Sequence, residues 1–368
     1  MVTGARVSAS WLLALMGLSC TYWVGLPGPA GDAGGDAAET GGAQPSDASI
    51  DQSSPGDKPE SSHPVDCANS LPLRVVRNQV EMIIALSRSS SMQQHSFDST
   101  TRLQAAQQAL SVAIGAHPSI QFGLEQFPGS TECGGATCCA DSVSIPPAPD
   151  QPSSIESQMA CASGDASCAV AGTDSPSHQA LRKCRDYYAN EGSLGRQSQF
   201  VLLVTDQDPT CAGDSSTADS LCASAVAVAS QLGARTLGVQ TFVVALNSDV
   251  SSTVCLANIA AANASGFSGA SQFFTATNQQ DLHDGLEAIM ALAEASLCQF
   301  LLGHPPDNPD QVVVTINHDR VPKNSSGQTD GWSFSDNSSS ELVVSGSYCD
   351  QLKSGQGDSA PVVLSCWP

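Results

Sequence analysis

Between residues 71 and 297, five short runs are apolar almost without interruption: VEMIIAL (80–86), IQFGLEQF (120–127), FVLLVTD (200–206), VQTFVVAL (239–246) and SQFFTAT (271–277). Near-continuous apolarity, rather than strict alternation, predicts strands covered on both faces. Helical patterns lie between them. TRLQAAQQALSVAIGAH places Leu103, Ala106, Leu110 and Ile114 on one stripe, with Thr100 or Thr101 as cap. TADSLCASAVAVASQLG stops at Gly233, and NQQDLHDGLEAIMALAEASL starts at Asn278 with a stripe of Leu282, Leu286, Ile289, Met290 and Ala293. Strand and helix in alternation predict an α/β fold, a doubly wound and mostly parallel sheet flanked by helices. Ligands of such sheets sit at the carboxyl ends of the strands, where the loops at Ser87 and Asp206 emerge.

The pattern fails in three places. Residues 1–20 read as an export signal: Arg6, then the apolar WLLALMGLS, then GLSC. That ending is similar to a bacterial lipobox, which makes Cys20 the expected lipidated residue; Gly17 stands where Leu is usual, and an ordinary signal cleaved after Ala30 is the alternative. Residues 21–66 are polar and acidic, with eight acids against one Lys in 25–66, and are expected to form a flexible tether. The domain expected over 67–297 is interrupted at 128–178 by a Pro-, Ser- and Cys-rich insertion with five cysteines, a loop long enough to need stapling. In 298–368 the runs QVVVTINHDRVP, GWSFS, SSELVVSGSYC and APVVLSC predict a small β-rich region tied down by Cys349 and Cys366.

A net charge of −22 with only 14 Lys and Arg argues against nucleic acid and against an anionic membrane surface; membrane association is expected through a lipid anchor only. Fourteen cysteines fit an oxidising compartment. With Cys20 removed or lipidated thirteen remain, so one thiol is free or pairs with another chain. The dense group CGGATCC has no His at ligand spacing, so disulfides rather than zinc are the expected use, and His178 reads as an incidental lone histidine.

MIIALSRSSSM after the first strand, SPSHQAL before a helix and FVLLVTDQDPTC after a later strand together resemble a von Willebrand factor type A domain over about residues 71–297. The layout of acidic linker, domain and GW-containing tail with paired cysteines also resembles secreted or lipid-anchored proteins of myxobacterial type. The resemblance implies a metal-ion-dependent adhesion site made from an Asp and two Ser of the first loop, a Thr of the second and an Asp of the third. Carried over, these are Ser87 in place of the Asp, Ser89, Ser91, Ser175 in place of the Thr, and Asp206. The hydroxyls remain and half the charge does not, which should weaken Mg²⁺ or another divalent cation considerably, because hard cations depend on charged oxygen ligands. Asp98 lies too far past the strand to replace the missing acid, and Asp208 could help only if its loop folds back. The alternative is a hydroxyl-rich turn that satisfies its own backbone at 87–91.

No Gly-x-Ser-x-Gly, Gly-Lys or His-Glu-x-x-His occurs, so no catalytic residues are assigned. The expected function is non-enzymatic: an exported cell-envelope lipoprotein, placed at the outer membrane or else secreted, that binds a protein partner through an acidic side chain. The alternative is a structural envelope protein with a vestigial, metal-free site that makes its contacts through the insertion or the C-terminal region. A secreted hydrolase with dispersed catalytic residues is the third class.

Overall fold

A computed structural model describes residues 73–74, 80–129, 132, 138–160, 174–190, 198–211, 216–234, 236–247, 253–262, 272–302, 305–306, 308–316, 319–324, 330–335, 339, 341–354 and 363–366. For 73–74, 301, 311 and 363–366 only the backbone is described. The export signal, Cys20 and the acidic tether lie outside the described residues.

In chain order the elements are β1 (Leu73–Arg74), β2 (Val80–Ser87), α1 (Ser90–Gln94), β3 (Ser96–Phe97), β4 (Thr100–Thr101), α2 (Arg102–Ala116), β5 (Ile120–Phe127) and α3 (Pro152–Met159). There follow α4 (Ser177–Asn190), β6 (Ser198–Thr205), α5 (Ala218–Leu232), β7 (Gln240–Ala245), α6 (Val254–Ala261), β8 (Phe273–Thr275) and α7 (Gln279–Ala295). The C-terminal part holds β9 (Gln299–Leu301), β10 (Val312–Ile316), β11 (Asp319–Val321), β12 (Gly331–Phe334), β13 (Glu341–Ser345), α8 (Ser347–Lys353) and β14 (Val363–Cys366).

Five of these strands form the expected parallel sheet, in the order β5-β2-β6-β7-β8. All eight positions of β2 and of β6 are buried, the polar Glu81, Ser87, Ser198, Gln199 and Thr205 among them, as expected of strands covered on both faces. Met82, Ile84 and Leu86 face a core shared with α2 and α7, while Ile83 and Ala85 face α4, α5 and α6 on the other side. Helix α2 opens with a capping box: Thr101 accepts from the Gln104 N–H and the Gln104 side chain accepts from the Thr101 N–H. Strand β8 is shorter than SQFFTAT suggested. It lies at the sheet edge and pairs only with β7, so its phenylalanines are half-buried and Thr275 is exposed. From β2 the chain crosses to β5 on one side and later to β6 on the other. The crevice between the carboxyl ends of β2 and β6 is therefore the topological switch point, where ligands of open α/β sheets bind.

The insertion covers the free edge of β5, where the Leu124 N–H donates to the Ile145 carbonyl at 2.8 Å. Beneath it Glu125 is fully buried, and neither carboxyl oxygen has a hydrogen-bond partner among the described residues. Burial pushes this carboxyl well above the usual range, Arg88 nearby pulls it down less, and Asp141 adds to the rise. The folded chain thus keeps a proton that the unfolded chain loses above about pH 4.3. Its contribution to stability is greatest below that pH and falls as pH rises toward the folded value. Glu125→Gln is accordingly expected to gain stability relative to the natural chain as the pH is raised from 4 to 8, because the amide has no proton to lose. Denaturant titrations at both pH values measure this; a variant that gains nothing between them would refute it.

The C-terminal region forms two antiparallel sheets, β1-β14-β10-β11 and β12-β13-β9. Strand β1 lies ahead of the parallel sheet in sequence yet pairs with β14 near the other end of the chain. The expected β-rich region is present and disulfide-tied, through Cys298–Cys349 with 5.4 Å between Cα atoms; the expected tie at Cys366 lies outside the described side chains. Trp332, Phe300, Leu342, Val344 and Val314 belong to the same buried core as α2 and α7. Gly331, before Trp332, has φ +146°, and a Cβ there would stand 2.5 Å from the Pro322 carbonyl oxygen, so the GW pair needs its glycine.

Candidate functional site

The first loop begins where β2 ends. Ser87 and Ser89 are fully buried, and Ser89 stands at the N-terminus of α1. Ser87 Oγ lies 3.3 Å from Ser89 Oγ, Ser89 Oγ lies 2.9 Å from Ser91 Oγ, and Ser91 Oγ lies 2.8 Å from Asp206 Oδ1. Each hydroxyl carries one proton and the ionised carboxylate only accepts. The direction of the chain follows: Ser87 donates to Ser89, Ser89 to Ser91, and Ser91 to Asp206. Three hydroxyls thus deliver their polarity to one buried acid, and the Ser89 N–H donates to Ser87 Oγ at 3.4 Å, so the SRSSS run serves both the acid and its own backbone.

Asp206 follows β6 directly and is 1 % exposed. Its carbonyl accepts from the Asn247 side-chain amide at 3.0 Å. Its second carboxylate oxygen, Oδ2, accepts from Arg102 at 2.8 Å. The same guanidinium nitrogen reaches His95 Nδ1 at 3.0 Å, so its two protons go to the carboxylate and to the ring, and Nδ1 is the unprotonated ring nitrogen. The Arg102 side chain is 16 % exposed and His95 is 60 % exposed at the rim. Arg102 was not singled out from the sequence, although one signal existed. It is the first residue of α2, where a cation opposes the helix dipole and calls for an anionic partner.

The structure thus joins Ser87, Ser89, Ser91 and Asp206 through hydrogen bonds. Ser175 is turned elsewhere. Its N–H donates to Thr210 Oγ1 at 2.8 Å, and its hydroxyl, 3.1 Å from Thr205 Oγ1, donates to that oxygen while Thr205 donates to the Gln207 carbonyl. It braces the strand end one residue before Asp206. Asp208 does not fold back toward Asp206: its carboxylate accepts from the Cys255 and Leu256 N–H groups at the start of α6. Burial raises its carboxyl above the usual range against those two bonds. Asp98, at φ +52°, accepts from the Gln279 N–H and so caps α7.

A hard divalent cation needs several oxygen donors, with carboxylates supplying the charge. Among the residues joined here Asp206 supplies the carboxylate; one of its oxygens takes the Ser91 proton and the other faces a guanidinium. The charge of Asp206 is already balanced by Arg102, and a divalent ion placed there would meet a fixed positive group. The residues as arranged do not fit Mg²⁺ or Ca²⁺.

Beside this site, His178 is not the incidental residue its isolation in the sequence suggested. The histidine is buried in the first turn of α4, and its ring lies against Cys138 of the insertion and Cys211 of the third loop. Cys138 and Cys211 form a disulfide with 5.0 Å between Cα atoms, so the insertion is stapled as expected, to the loop that carries Asp206. Cys222–Cys255 ties α5 to α6. Cys184, buried in α4, is free, and burial pushes its thiol well above the usual range.

No protein-family model matches the chain. No curated protein matches it either. Solved structures resemble it at low identity. A D319A mutant of the PilB minor pilin from Streptococcus sanguinis matches at 13 % identity and a TM-score of 0.45, over 59 % of this chain and 62 % of the pilin. The chain therefore spans less than two thirds of that relative's length. An aerotolerance-related membrane protein from Bacteroides fragilis matches at 17 % identity and a TM-score of 0.41, over 58 % of this chain and 99 % of the other. Manganese-loaded TRAP from Plasmodium vivax matches at 13 % identity and a TM-score of 0.37, over 60 % and 76 %. Likeness at this level carries no functional weight, and the chemistry has to be read from the residues themselves.

Proposed function

We propose that this chain is a non-enzymatic protein-binding module of the cell envelope whose adhesion face, of von Willebrand A type, works with Arg102 in the place of a divalent cation. The observation that carries this reading is the Arg102 guanidinium held on the buried Asp206 carboxylate at 2.8 Å, at the carboxyl end of the sheet. In metal-dependent sites of this kind a carboxylate from the partner completes the cation's shell. Here the Arg102 guanidinium offers the same positive charge, its side chain is 16 % exposed, and His95 lies at the rim. An acidic side chain on a partner protein suits this group, because guanidinium pairs with carboxylate in a fixed two-point geometry. Ser87, Ser89 and Ser91 orient the acid that holds the arginine. Export by residues 1–20, lipidation at Cys20 and the tether of 21–66 complete the proposal: the domain of 67–297 is held away from the membrane with its binding edge free. Among the described residues no helix is long and apolar enough to cross a membrane. The alternative remains a structural protein that makes its contacts through 128–178 or 298–368.

Calorimetry and a peptide panel test the reading. The natural chain is expected to show no saturable heat with Mg²⁺ or Mn²⁺, whereas Ser87→Asp combined with Arg102→Ala restores two carboxylates, removes the cation and binds Mn²⁺. Peptides carrying Asp or Glu are expected to bind the natural chain equally with or without chelator, and at least tenfold more weakly after Arg102→Gln. Saturable Mn²⁺ binding by the natural chain that is lost in Asp206→Ala would overturn the proposal. Peptide binding that survives Arg102→Gln but needs residues 128–178 would favour the alternative.

A further inference from the structure

We propose that Cys138, Cys211 and His178 form a redox-gated site for a thiophilic cation such as Zn²⁺. Three segments far apart in sequence converge there: the insertion at Cys138, the first turn of α4 at His178, and the loop after β6 at Cys211. Their donor atoms all lie within 4.8 Å of one another. A tetrahedral zinc with thiolates at about 2.3 Å and imidazole at about 2.0 Å needs donors about 3.5 Å apart, so the two sulfurs must part from bonding distance once the disulfide opens. Two sulfurs and one ring nitrogen are soft and borderline donors, which select Zn²⁺ over Mg²⁺ or Ca²⁺. Three protein ligands leave a fourth position for water or an outside ligand.

The loops that carry these donors are already held together. The Thr210 N–H donates to the Ser175 carbonyl at 3.0 Å, and the Ser175 N–H donates to Thr210 Oγ1 at 2.8 Å. Cys211 and His178 each follow one of these residues closely, and the Gly129 N–H donates to the Cys139 carbonyl at 2.8 Å beside Cys138, so opening the disulfide does not let the donors scatter. Cys138 is half-buried and within reach of a small reductant.

The chemistry balances with a dithiol as reductant. The Cys138–Cys211 S–S bond breaks, two electrons and two protons pass from the dithiol to the two sulfurs, and the dithiol closes to its own disulfide. Zn²⁺ then displaces both thiol protons to solvent and takes the neutral His178 ring through a nitrogen lone pair. Oxidised, the pair excludes the metal; reduced and loaded, the metal ties the same two loops.

The test uses the full chain, reduced with a dithiol under anaerobic conditions and titrated with Co²⁺. The reduced chain is expected to bind Co²⁺ with thiolate charge-transfer absorption that Zn²⁺ abolishes. The oxidised chain should show none. In Cys138→Ser/Cys211→Ser, which keeps every other cysteine, the band should disappear, and in His178→Gln affinity should fall at least tenfold. Alkylation of the reduced natural chain with and without Zn²⁺, mapped by mass spectrometry, decides the matter even if a variant fails to fold: Zn²⁺ should protect Cys138 and Cys211 selectively. An unchanged band in the double serine variant, or equal alkylation of both cysteines with and without Zn²⁺, would overturn the proposal.

Discussion

Arg102→Ala is expected to destabilise the fold by about 3 kcal/mol, the low end of the range for removing one partner of a buried ion pair. The loss comes less from the missing attraction than from the acid left behind. Asp206 is 1 % exposed, and without the guanidinium its Oδ2 has lost its partner at 2.8 Å while Oδ1 keeps only Ser91. A buried carboxylate in that position keeps, among the described residues, no basic group nearer than the rim His95 ring, 3.9 Å from Oδ2. Two further variants separate the causes. Arg102→Ala with Asp206→Asn should recover most of the loss, because no charge remains to be neutralised. Arg102→Lys should recover part of it, since an ammonium restores charge but not the planar fork shared with His95. In the Ser87→Asp/Arg102→Ala chain, Mn²⁺ should raise stability in proportion to the logarithm of its concentration, as any ligand of the folded state does. Denaturant titrations across this set, with Asp206→Asn alone added, form a double-mutant cycle between positions 102 and 206. A coupling below about 0.5 kcal/mol would mean that Arg102 is not the counter-charge of the site, because contacts of this kind couple by about 0.5–3 kcal/mol.

The second large effect is expected in the C-terminal region. Trp332→Ala should cost about 3–5 kcal/mol, the usual penalty for emptying a buried aromatic site. Trp332 is 1 % exposed and meets Phe334 edge-on at 5.3 Å between ring centroids, with the Lys323 ammonium 5.4 Å from the ring centroid. Its backbone adds a bond to the Pro322 carbonyl at 2.9 Å. The indole lies in one continuous core with Leu297, Phe300, Ile289 and Met290, so a cavity there weakens the packing of α7 as well as that of β12 and β13. A single cooperative transition shifted to lower denaturant is therefore expected by circular dichroism. Two separated transitions, with only the tail affected, would show instead that residues 298–368 fold as an independent appendage.

Much of the fold was legible in the sequence because its signals are local. Nearly continuous apolar runs marked β2, β5, β6 and β7, since a strand buried on both faces has no side given over to polar residues. Thr101 and Asn278 announced their helices, because a cap acts within three residues. The hydroxyls at 87, 89 and 91 and the acid at 206 were legible for the same reason: each sits where an apolar run stops. Local signals failed where a side chain's role depends on a partner remote in the chain. The polar residues Asp98 and Asp208 gave no hint that they serve α7 and α6, and β1 gave none that it pairs with β14. The joining of insertion and third loop through Cys138 and Cys211 spans 73 residues, and His178 joins them from a helix between.

By itself, then, the sequence determined the class of fold, the two loops that meet at the switch point, and the hydroxyls and acid that those loops carry. Only the tertiary structure decided what balances the acid that remains. An apolar periodicity is a property of a single segment, set by which face must leave water. Charge compensation is a property of a point in space, where Arg102 and Asp206 meet across 104 residues of chain. No spacing in the sequence encodes that distance, because it exists only after the sheet has brought the start of α2 against the end of β6.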